Sequence, residues 1–436
     1  MQNLGRCGRS RNHKSRRNSY QPLSGPGVSE SHLPEFIRLK RWMKSSISKE
    51  QCLGRSIKKL EVAYFKNIGR GLKCKRHIEV GDTIISIPLD LLITTNTVFN
   101  SEIGAVILSG NDCFTPQQLL TIFLIIERCK GENSFWFPYL STLPTVYTTP
   151  LYFTNDEIKL LTTRGKQMAD EYRKRFDRAC QVINNFLKAS APSYCPLVDL
   201  ADIMWAWSTI ETRSVYLETT PHSFLKVDPD ESHVALAPYL DLLNHKDTAQ
   251  MSAGLNTSSS CYEIVTQDKF EAHDQIFICY GAYDNTRLLV NYGFTLPQNV
   301  HNMYYITLDN IKQLSPNNIQ HWDKKVSIIK ETGLEKNLVC NQDGLSWALM
   351  TVLKIAALPW ELLFLWKSLK QGISISNDNE SKANSLATKL VSECLKSARD
   401  HLRNVMMCPS SNHFELLKNL AQDDVDILES TLAMLT

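Results

Sequence analysis

Residues 240–245 read LDLLNH and residues 278–281 read ICYG. Both stretches end an apolar run in side chains that can carry chemistry, namely Asp241, Asn244, His245 and Tyr280. Taken singly, an Asn-His pair after a strand is commonly a turn or a strand cap. A tyrosine at the end of a buried strand is commonly a core aromatic whose hydroxyl has a partner. Neither stretch alone therefore identifies a site.

The chain around these stretches alternates between strand-like and helix-like blocks. Short runs rich in β-branched residues and bounded by Gly or Pro predict strands. They are Glu61–Phe65, Asp82–Leu92 with its TIISIP, the run HVALAPYLDLLNH that reaches His245, Cys261–Asp268, Gln275–Gly281 and a short strand near Tyr304–Leu308. Gly69-Arg70-Gly71 on its own predicts a turn, because glycine adopts positive φ without strain.

Apolar residues at helical spacing predict the remaining elements. They are Pro34–Lys44, Pro116–Lys130, Asp156–Lys188, Asp199–Arg213 with Asp199 as its cap, and the remainder that follows the short strand near Tyr304–Leu308, up to Thr436. Within that last part, Ala348–Trp366 is expected to be one buried core helix and Ser374–Ser385 a loop. Strands, then helices, then strands indicate one β domain split by a helical insert.

Composition limits the classes of protein to which the chain can belong. The 436 residues are 43% apolar and carry a formal net charge of +3, as expected for a globular protein of two or three domains. Six basic residues fall among the first 17, so residues 1–30 are expected to form a disordered basic tail. The rest is close to neutral, which does not favour direct nucleic-acid binding beyond a contact by that tail.

The twelve cysteines contain no C-x-x-C pair, which argues against a paired-knuckle zinc site. Because no signal peptide or membrane helix is evident, we expect a protein of the cytoplasm and nucleus with no membrane partner. The sequence also contains no G-x-S-x-G, no G-x-x-x-x-G-K-[ST] and no H-E-x-x-H motif.

Six short segments in a fixed order carry a resemblance. They are Gly69–Leu72 (GRGL), Trp136–Pro144 (WFPYLSTLP), Thr212-Arg213, Asp241–His245 (DLLNH), Tyr280–Asn285 (YGAYDN) and Tyr292–Phe294 (YGF). In this order they closely resemble the SET domain methyltransferases, within them the branch similar to the Rubisco large-subunit methyltransferase. The resemblance extends over residues 31–436.

The resemblance implies an α+β fold. A SET domain over residues 31–298, made of small curved β-sheets with a knot-like crossing, would be split by a helical insert at about 100–230. Residues 299–436 would form an all-α substrate-binding domain. The methyl donor of such enzymes is S-adenosylmethionine, and no metal takes part.

The resemblance also assigns roles to individual residues. Ile68, Gly69 and Arg70 would contact the cofactor through backbone groups, and Arg213 would pair with its carboxylate. The remaining cofactor-binding positions would be Asp241, Asn244, His245, Tyr280 and Tyr292. Tyr280 would also face the reacting centre as the catalytic residue.

The expected activity is methylation of protein lysines, on histones or other proteins. Val215 and Leu240 would line the acceptor pocket, and because both are apolar they suit the aliphatic stem of a lysine. Two alternatives remain: a protein-histidine methyltransferase, since one relative in this branch methylates histidine, and a silent SET scaffold that docks a protein partner. The presence of Arg213, Asn244 and Tyr280 argues against loss of turnover.

Overall fold

A computed structural model describes residues 27–46, 58–192, 198–226, 233–314 and 321–436. Most of the expected basic tail, residues 1–26, lies outside the described residues. The final residues of that expected tail are not a tail, because Val28–Ser29 pairs antiparallel with Tyr64 and Ala63 as a strand. Glu30 also accepts a 2.9 Å hydrogen bond from Arg70 Nε.

The described part of the chain is rich in helix, with strands gathered into small sheets. The strands are β1 (Val28–Ser29), β2 (Leu60–Phe65), β3 (Gly69–Cys74), β4 (Thr83–Pro88), β5 (Ser214–Tyr216), β6 (Val234–Leu236), β7 (Asn244–His245), β8 (Met251–Asn256), β9 (Cys261–Thr266), β10 (Gln275–Ile278), β11 (Tyr304–Tyr305), β12 (Val339–Asn341) and β13 (Gly344–Leu345).

The helices fall in three groups along the chain. They are α1 (Pro34–Ser45), α2 (Thr95–Phe99), α3 (Glu102–Ser109), α4 (Pro116–Cys129), α5 (Phe137–Leu140), α6 (Asn155–Lys159), α7 (Thr163–Ser190), α8 (Leu200–Arg213), α9 (Asn285–Tyr292), α10 (Leu308–Gln313), α11 (Trp322–Thr332), α12 (Trp347–Ala357), α13 (Trp366–Lys370), α14 (Asn377–Met406) and α15 (Phe414–Leu435).

The sheets pair strands that are far apart in sequence. The largest has the order β1-β2-β3-β10-β7, and three others have the orders β4-β9-β8, β5-β6 and β11-β12-β13. Strand β10 pairs antiparallel with β3 and parallel with β7, so Ile278 lies opposite His245. This arrangement of small sheets and helices confirms the predicted α+β class.

The two glycines near residue 70 are placed differently from the prediction. The turn falls earlier, where Ile68 N donates to Phe65 O at 3.1 Å, and Gly69 opens β3 with φ of +94°. Gly71 lies within the strand, opposite Ala63. A Cβ atom on Gly71 would lie only 2.6 Å from Asn244 Nδ2 and 2.8 Å from Gln275 Nε2, so any other residue there would force these side chains to shift.

The run that leads to His245 is not one continuous strand, contrary to the prediction. It consists of β6, a 3₁₀ turn at Leu240–Leu242 and β7. Pro238 has no N–H for a ladder hydrogen bond, and Tyr239 takes a positive φ of 73°. The resulting bend separates Asp241 from the Asn244-His245 step.

The insert helices follow the apolar spacing, with one correction. Asp199 accepts a 2.9 Å bond from Asp202 N and caps α8 as predicted. The single helix expected over Asp156–Lys188 is wrong, because α6 ends at Lys159 and Thr162 starts α7 as its cap. The insert shares one apolar core with the sheets, in which Phe123 and Trp207 join Ile276.

The C-terminal part has its own apolar core and is mainly helical. It is not all-α as expected, because β12 pairs with β11 and β13 in a small sheet, and it carries two further corrections. The predicted loop Ser374–Ser385 is wrong, because Ser376 caps α14 and the polar residues that follow form its first turns. The expected single helix Ala348–Trp366 ends at Ala357, since Pro359 cannot continue it. No helix in the described ranges has the length and apolar character needed to cross a bilayer.

A buried carboxylate joins the insert to the C-terminal helices. Glu157 accepts hydrogen bonds from Ser411 Oγ at 2.7 Å and from His413 N at 3.3 Å, and His413 stacks on Phe153. Burial alone would raise the pKa of Glu157, but hydrogen bonds from Ser411, Thr154 and His413 outweigh it and lower the pKa to about 2. The charged form is therefore the one that the junction stabilises.

The junction predicts a specific pH dependence of stability. Because the folded pKa lies below the unfolded value of 4.5, the contribution is complete above about pH 5 and is lost as the pH falls towards 2. As the pH falls from about 5 to 2, wild type should lose up to about 3 kcal/mol more of its unfolding free energy than Glu157→Gln does. Urea denaturation at several pH values measures it, with Glu415→Gln as the exposed control. Equal pH profiles for Glu157→Gln and wild type would contradict the role of this carboxylate.

Candidate active site

A cavity of about 350 Å³ lies where the ends of β5, β7 and β10 meet the C-terminal end of α9. It brings together six residues that the sequence analysis named: Arg213, Val215, Leu240, Asp241, Tyr280 and Tyr292. These come from four separate segments of the chain. Short strands and tight bends position them. The pairing of β10 with β7 brings residues 240–245 and 278–281 side by side.

Tyr280 follows the last residue pair of β10 and is held at three points. Its phenol donates a 2.6 Å hydrogen bond to Leu243 O, and its backbone N donates a 3.0 Å bond to His245 Nδ1. Its ring stacks on that of His245 with centroids 5.0 Å apart. Burial raises the pKa of Tyr280 to about 12, so the hydroxyl is protonated at neutral pH and acts as a donor.

Two further tyrosines of the cavity lining extend the aromatic cluster that begins at Tyr280. The Tyr292 ring lies at the end of α9 with its centroid 5.0 Å from that of Tyr280. Tyr283 stacks on Tyr292 with ring centroids 6.2 Å apart. The Arg287 guanidinium lies 4.6 Å from the centre of the Tyr283 ring. One wall of the cavity is therefore aromatic.

The facing wall is apolar. Val215 from β5 and Leu240 from the 3₁₀ turn line it, together with Met251, Ile264 and Ile278. The structure thus places both residues expected in the acceptor pocket in the same cavity as the Tyr280 phenol.

A buried ion pair lies at the side of the cavity. Arg213 Nη1 lies 3.0 Å from Asp241 Oδ2, and the Tyr139 phenol donates to the same oxygen at 3.0 Å. Burial opposes the charge of Arg213, but the Asp241 carboxylate outweighs it and raises the pKa of the arginine. Burial likewise raises the pKa of Asp241, while Arg213 and Tyr139 lower it. The net effect is a raised pKa, so the two partners of Asp241 offset only part of the cost of burying its charge.

Asn244 and His245 connect this cavity to β3. Asn244 Nδ2 donates to Arg70 O at 2.9 Å and lies against Gly71. His245 is buried, its Nε2 has no hydrogen-bond partner within the described residues, and burial lowers its pKa. His245 is therefore neutral at physiological pH, with one polar ring atom left to bind.

The structure separates the three residues of the β2–β3 turn from the cavity that holds Tyr280. The Arg70 side chain turns away, towards Glu30 and over the Phe36 ring at 5.2 Å. Its carbonyl is nevertheless joined to the site through Asn244. Ile68 and Gly69 lie beside this connection, and their role as backbone contacts stays a prediction.

Sequence reasoning missed two tyrosines of the site. Tyr139 was quoted only as part of WFPYLSTLP, yet it reaches Asp241 across 102 positions. The Tyr147 hydroxyl forms a 2.7 Å hydrogen bond with Thr209 Oγ1 close to the same ion pair. Tyr139 directly follows Pro138 and Tyr147 lies three residues after Pro144, and nothing in this local pattern predicts their partners. No group of three or more potential metal-ligating side chains occurs within the described residues.

The family model for the SET domain matches residues 69–281. SET domain-containing protein 4 of Homo sapiens is 34% identical over 414 residues, covering 93% of this chain and 92% of that protein. Actin-histidine N-methyltransferase of Gallus gallus is 28% identical over 289 residues, covering 65% of this chain and 45% of that protein.

Among solved structures, the SET domain of LSMT bound to lysine and AdoHcy superimposes with a TM-score of 0.63. The two chains are 20% identical, with 93% of this chain and 91% of the other covered. This likeness confirms the fold that the ordered segments predicted.

The Tyr139 contact generates a prediction about stability. Tyr139→Phe removes one of the donors to the buried Asp241 carboxylate without changing the ring, so the unfolding free energy should fall by about 1–3 kcal/mol. Urea denaturation at neutral pH measures the change. Tyr64→Phe, at a tyrosine that is 50% exposed, is the matched control and should leave stability unchanged. Equal stabilities for the two variants would show that Tyr139 does not support the ion pair.

Proposed function

The chain belongs to the SET domain family, and from this premise we propose that it is an S-adenosylmethionine-dependent protein-lysine N-methyltransferase. One observation carries the proposal: the Tyr280 phenol, the Arg213–Asp241 pair and the apolar residues Val215 and Leu240 line one cavity. The complex of LSMT with lysine and AdoHcy, which shares the fold, supports the same pair of ligands here.

The residues present fit such a cofactor. Arg213 Nε is buried without a hydrogen-bond partner within the described residues, which leaves a charged donor for the cofactor carboxylate. The unpartnered Nε2 of His245 is a second buried polar atom, on the ring that stacks against Tyr280. Gly71 keeps the backbone of β3 close to Asn244, where any side chain would collide. When bound, S-adenosylmethionine supplies a methyl group on a positively charged sulfur.

The acceptor wall suits a lysine. Val215 and Leu240 offer apolar contact to the four methylene groups of a lysine stem. An amine must lose a proton before it can attack, and the reference pKa of lysine is about 10.4. Apolar surroundings disfavour the ammonium form, so this wall lowers the pKa of an entering lysine.

Tyr280 contributes orientation rather than proton removal. Its pKa of about 12 makes a phenolate base unfavourable at neutral pH. Held by Leu243 and His245, the ring and hydroxyl form a fixed side of the channel along which the amine approaches. Alignment and exclusion of water can account for up to roughly 7–11 kcal/mol of barrier reduction in favourable cases. The proton of the amine leaves to water.

The wider assignment is also proposed. We propose that the helical part from residue 299 onward recognises the protein acceptor, because it has a core of its own and joins the insert at Glu157. A histone or a non-histone protein is compatible with such a surface. The basic first 17 residues support access to the nucleus as well as the cytoplasm.

Methyl transfer to proteins tests the activity. Purified chain with radiolabelled S-adenosylmethionine should label proteins in an extract, and Tyr280→Phe should reduce kcat roughly 100-fold, because loss of the Leu243 contact frees the ring. Tyr64→Phe is the control and should label normally. A wild-type chain that binds the cofactor and labels nothing would favour the docking scaffold, and unchanged labelling by Tyr280→Phe would refute the role of this residue.

The labelled residue tests the acceptor class. Mass spectrometry of the labelled proteins should place the methyl group on lysine Nζ. Leu240→Asn, which adds a polar side chain to the wall, should reduce kcat/KM for a lysine peptide by about tenfold. Methylation found only on histidine would overturn the lysine assignment and leave the methyltransferase assignment standing.

A further inference from the structure

A second cavity, of about 280 Å³, lies between the insert and the C-terminal helices. The start of α7 forms one wall, and α14 and α15 form the opposite wall. Thr286 of α9 also lines it, while the other end of that helix carries Tyr292 of the active site. The cavity therefore adjoins the active site through one helix of eight residues and is separate from it.

Two cations line this cavity without a carboxylate partner. Arg164 and Lys166 make no ion pair within the described residues. Arg164 Nε is buried without a hydrogen-bond partner in the same part of the chain, and its guanidinium lies 5.0 Å from the centre of the Tyr305 ring. Both side chains are half-buried, and two cations without carboxylate partners on one cavity, one with a buried unpartnered N–H, point to an anionic ligand.

His401 of α14 supplies a third polar group. Its Nε2 is buried without a partner among the described residues, and a backbone bond to Leu160 engages the ring. Burial, followed by the nearby charge of Lys166, lowers the pKa of His401. An anion placed beside Lys166 would offset that charge and favour a protonated, donating ring.

Asp424 of α15 is the one acidic side chain in the lining. Burial, together with the charges of Asp423 and Asp284, raises the pKa of Asp424 to about 8. At neutral pH this carboxyl is mostly protonated, so it offers a hydroxyl donor and little negative charge. It therefore opposes an anion in the cavity less than an ionised carboxylate would.

We propose that this cavity binds a small oxyanion, the phosphate or carboxylate group of a low-molecular-weight ligand, between Arg164 and Lys166. Arg164 provides a planar fork suited to two oxygens, and Lys166 provides a mobile point charge. At roughly 30 Å³ per water molecule the volume accommodates a phosphate with a few waters. Because its walls come from the insert and from the C-terminal helices, the bound anion holds these two parts together.

Calorimetric titration of the full chain with inorganic phosphate tests the site, at constant ionic strength set with chloride. Wild type should bind one phosphate, and Arg164→Gln and Lys166→Gln should each weaken binding by roughly tenfold or more. Lys174→Gln removes the same charge from an exposed position on α7 and should bind as wild type does. Thermal unfolding in chloride should show that all variants are folded.

Acetate, titrated in the same way, separates the two ligand classes. Tighter binding of phosphate would assign a phosphate ligand, and equal or tighter binding of acetate would assign a carboxylate ligand. In either case Lys166→Gln should bind the anion more weakly than wild type. No binding of either anion at millimolar concentration would overturn the proposal. Binding that Arg164→Gln and Lys166→Gln leave unchanged would overturn it equally.

Discussion

The parallel pairing of β7 with β10 is the constraint on which the site depends. It places Ile278 opposite His245, and two residues after Ile278 the chain brings Tyr280 to Leu243 and His245. A strand of two residues has little stability of its own, so it persists through the buried residues on both sides. The geometry of the candidate site and the core of this part of the molecule therefore depend on the same contacts.

Electrostatics in the cavity are arranged around one buried charge. The 3₁₀ turn Leu240–Leu242 positions Asp241, whose carboxylate pairs with Arg213 and accepts a hydrogen bond from the Tyr139 phenol. These three contributions come from different segments of the chain. Because an unpartnered buried carboxylate would be costly, removing any of these contacts affects the folded state and the site together. This coupling explains why the insert, which contributes Tyr139, is part of the active site and more than a peripheral addition.

The sequence predicted the fold class and most strands and helices, because apolar spacing reports directly on burial. Asp199 is a helix cap as predicted, since capping is a local interaction. What failed was of two kinds. The first kind is a helix boundary set by a capping hydroxyl. Thr162 starts α7 inside a continuous apolar pattern, and Ser376 starts α14 within a polar stretch. The contact between Tyr139 and Asp241 joins positions 102 apart, and local periodicity contains no information about it.

Calorimetric titration of S-adenosylmethionine into the wild-type chain tests the central claim most directly. The claim is that Arg213, Asn244 and His245 form one side of a preformed cofactor site next to Tyr280. It predicts saturable binding at one site per chain, and a marked loss of affinity in Gly71→Val, whose side chain would displace Asn244. Absence of heat from wild-type chain at millimolar cofactor would contradict the account.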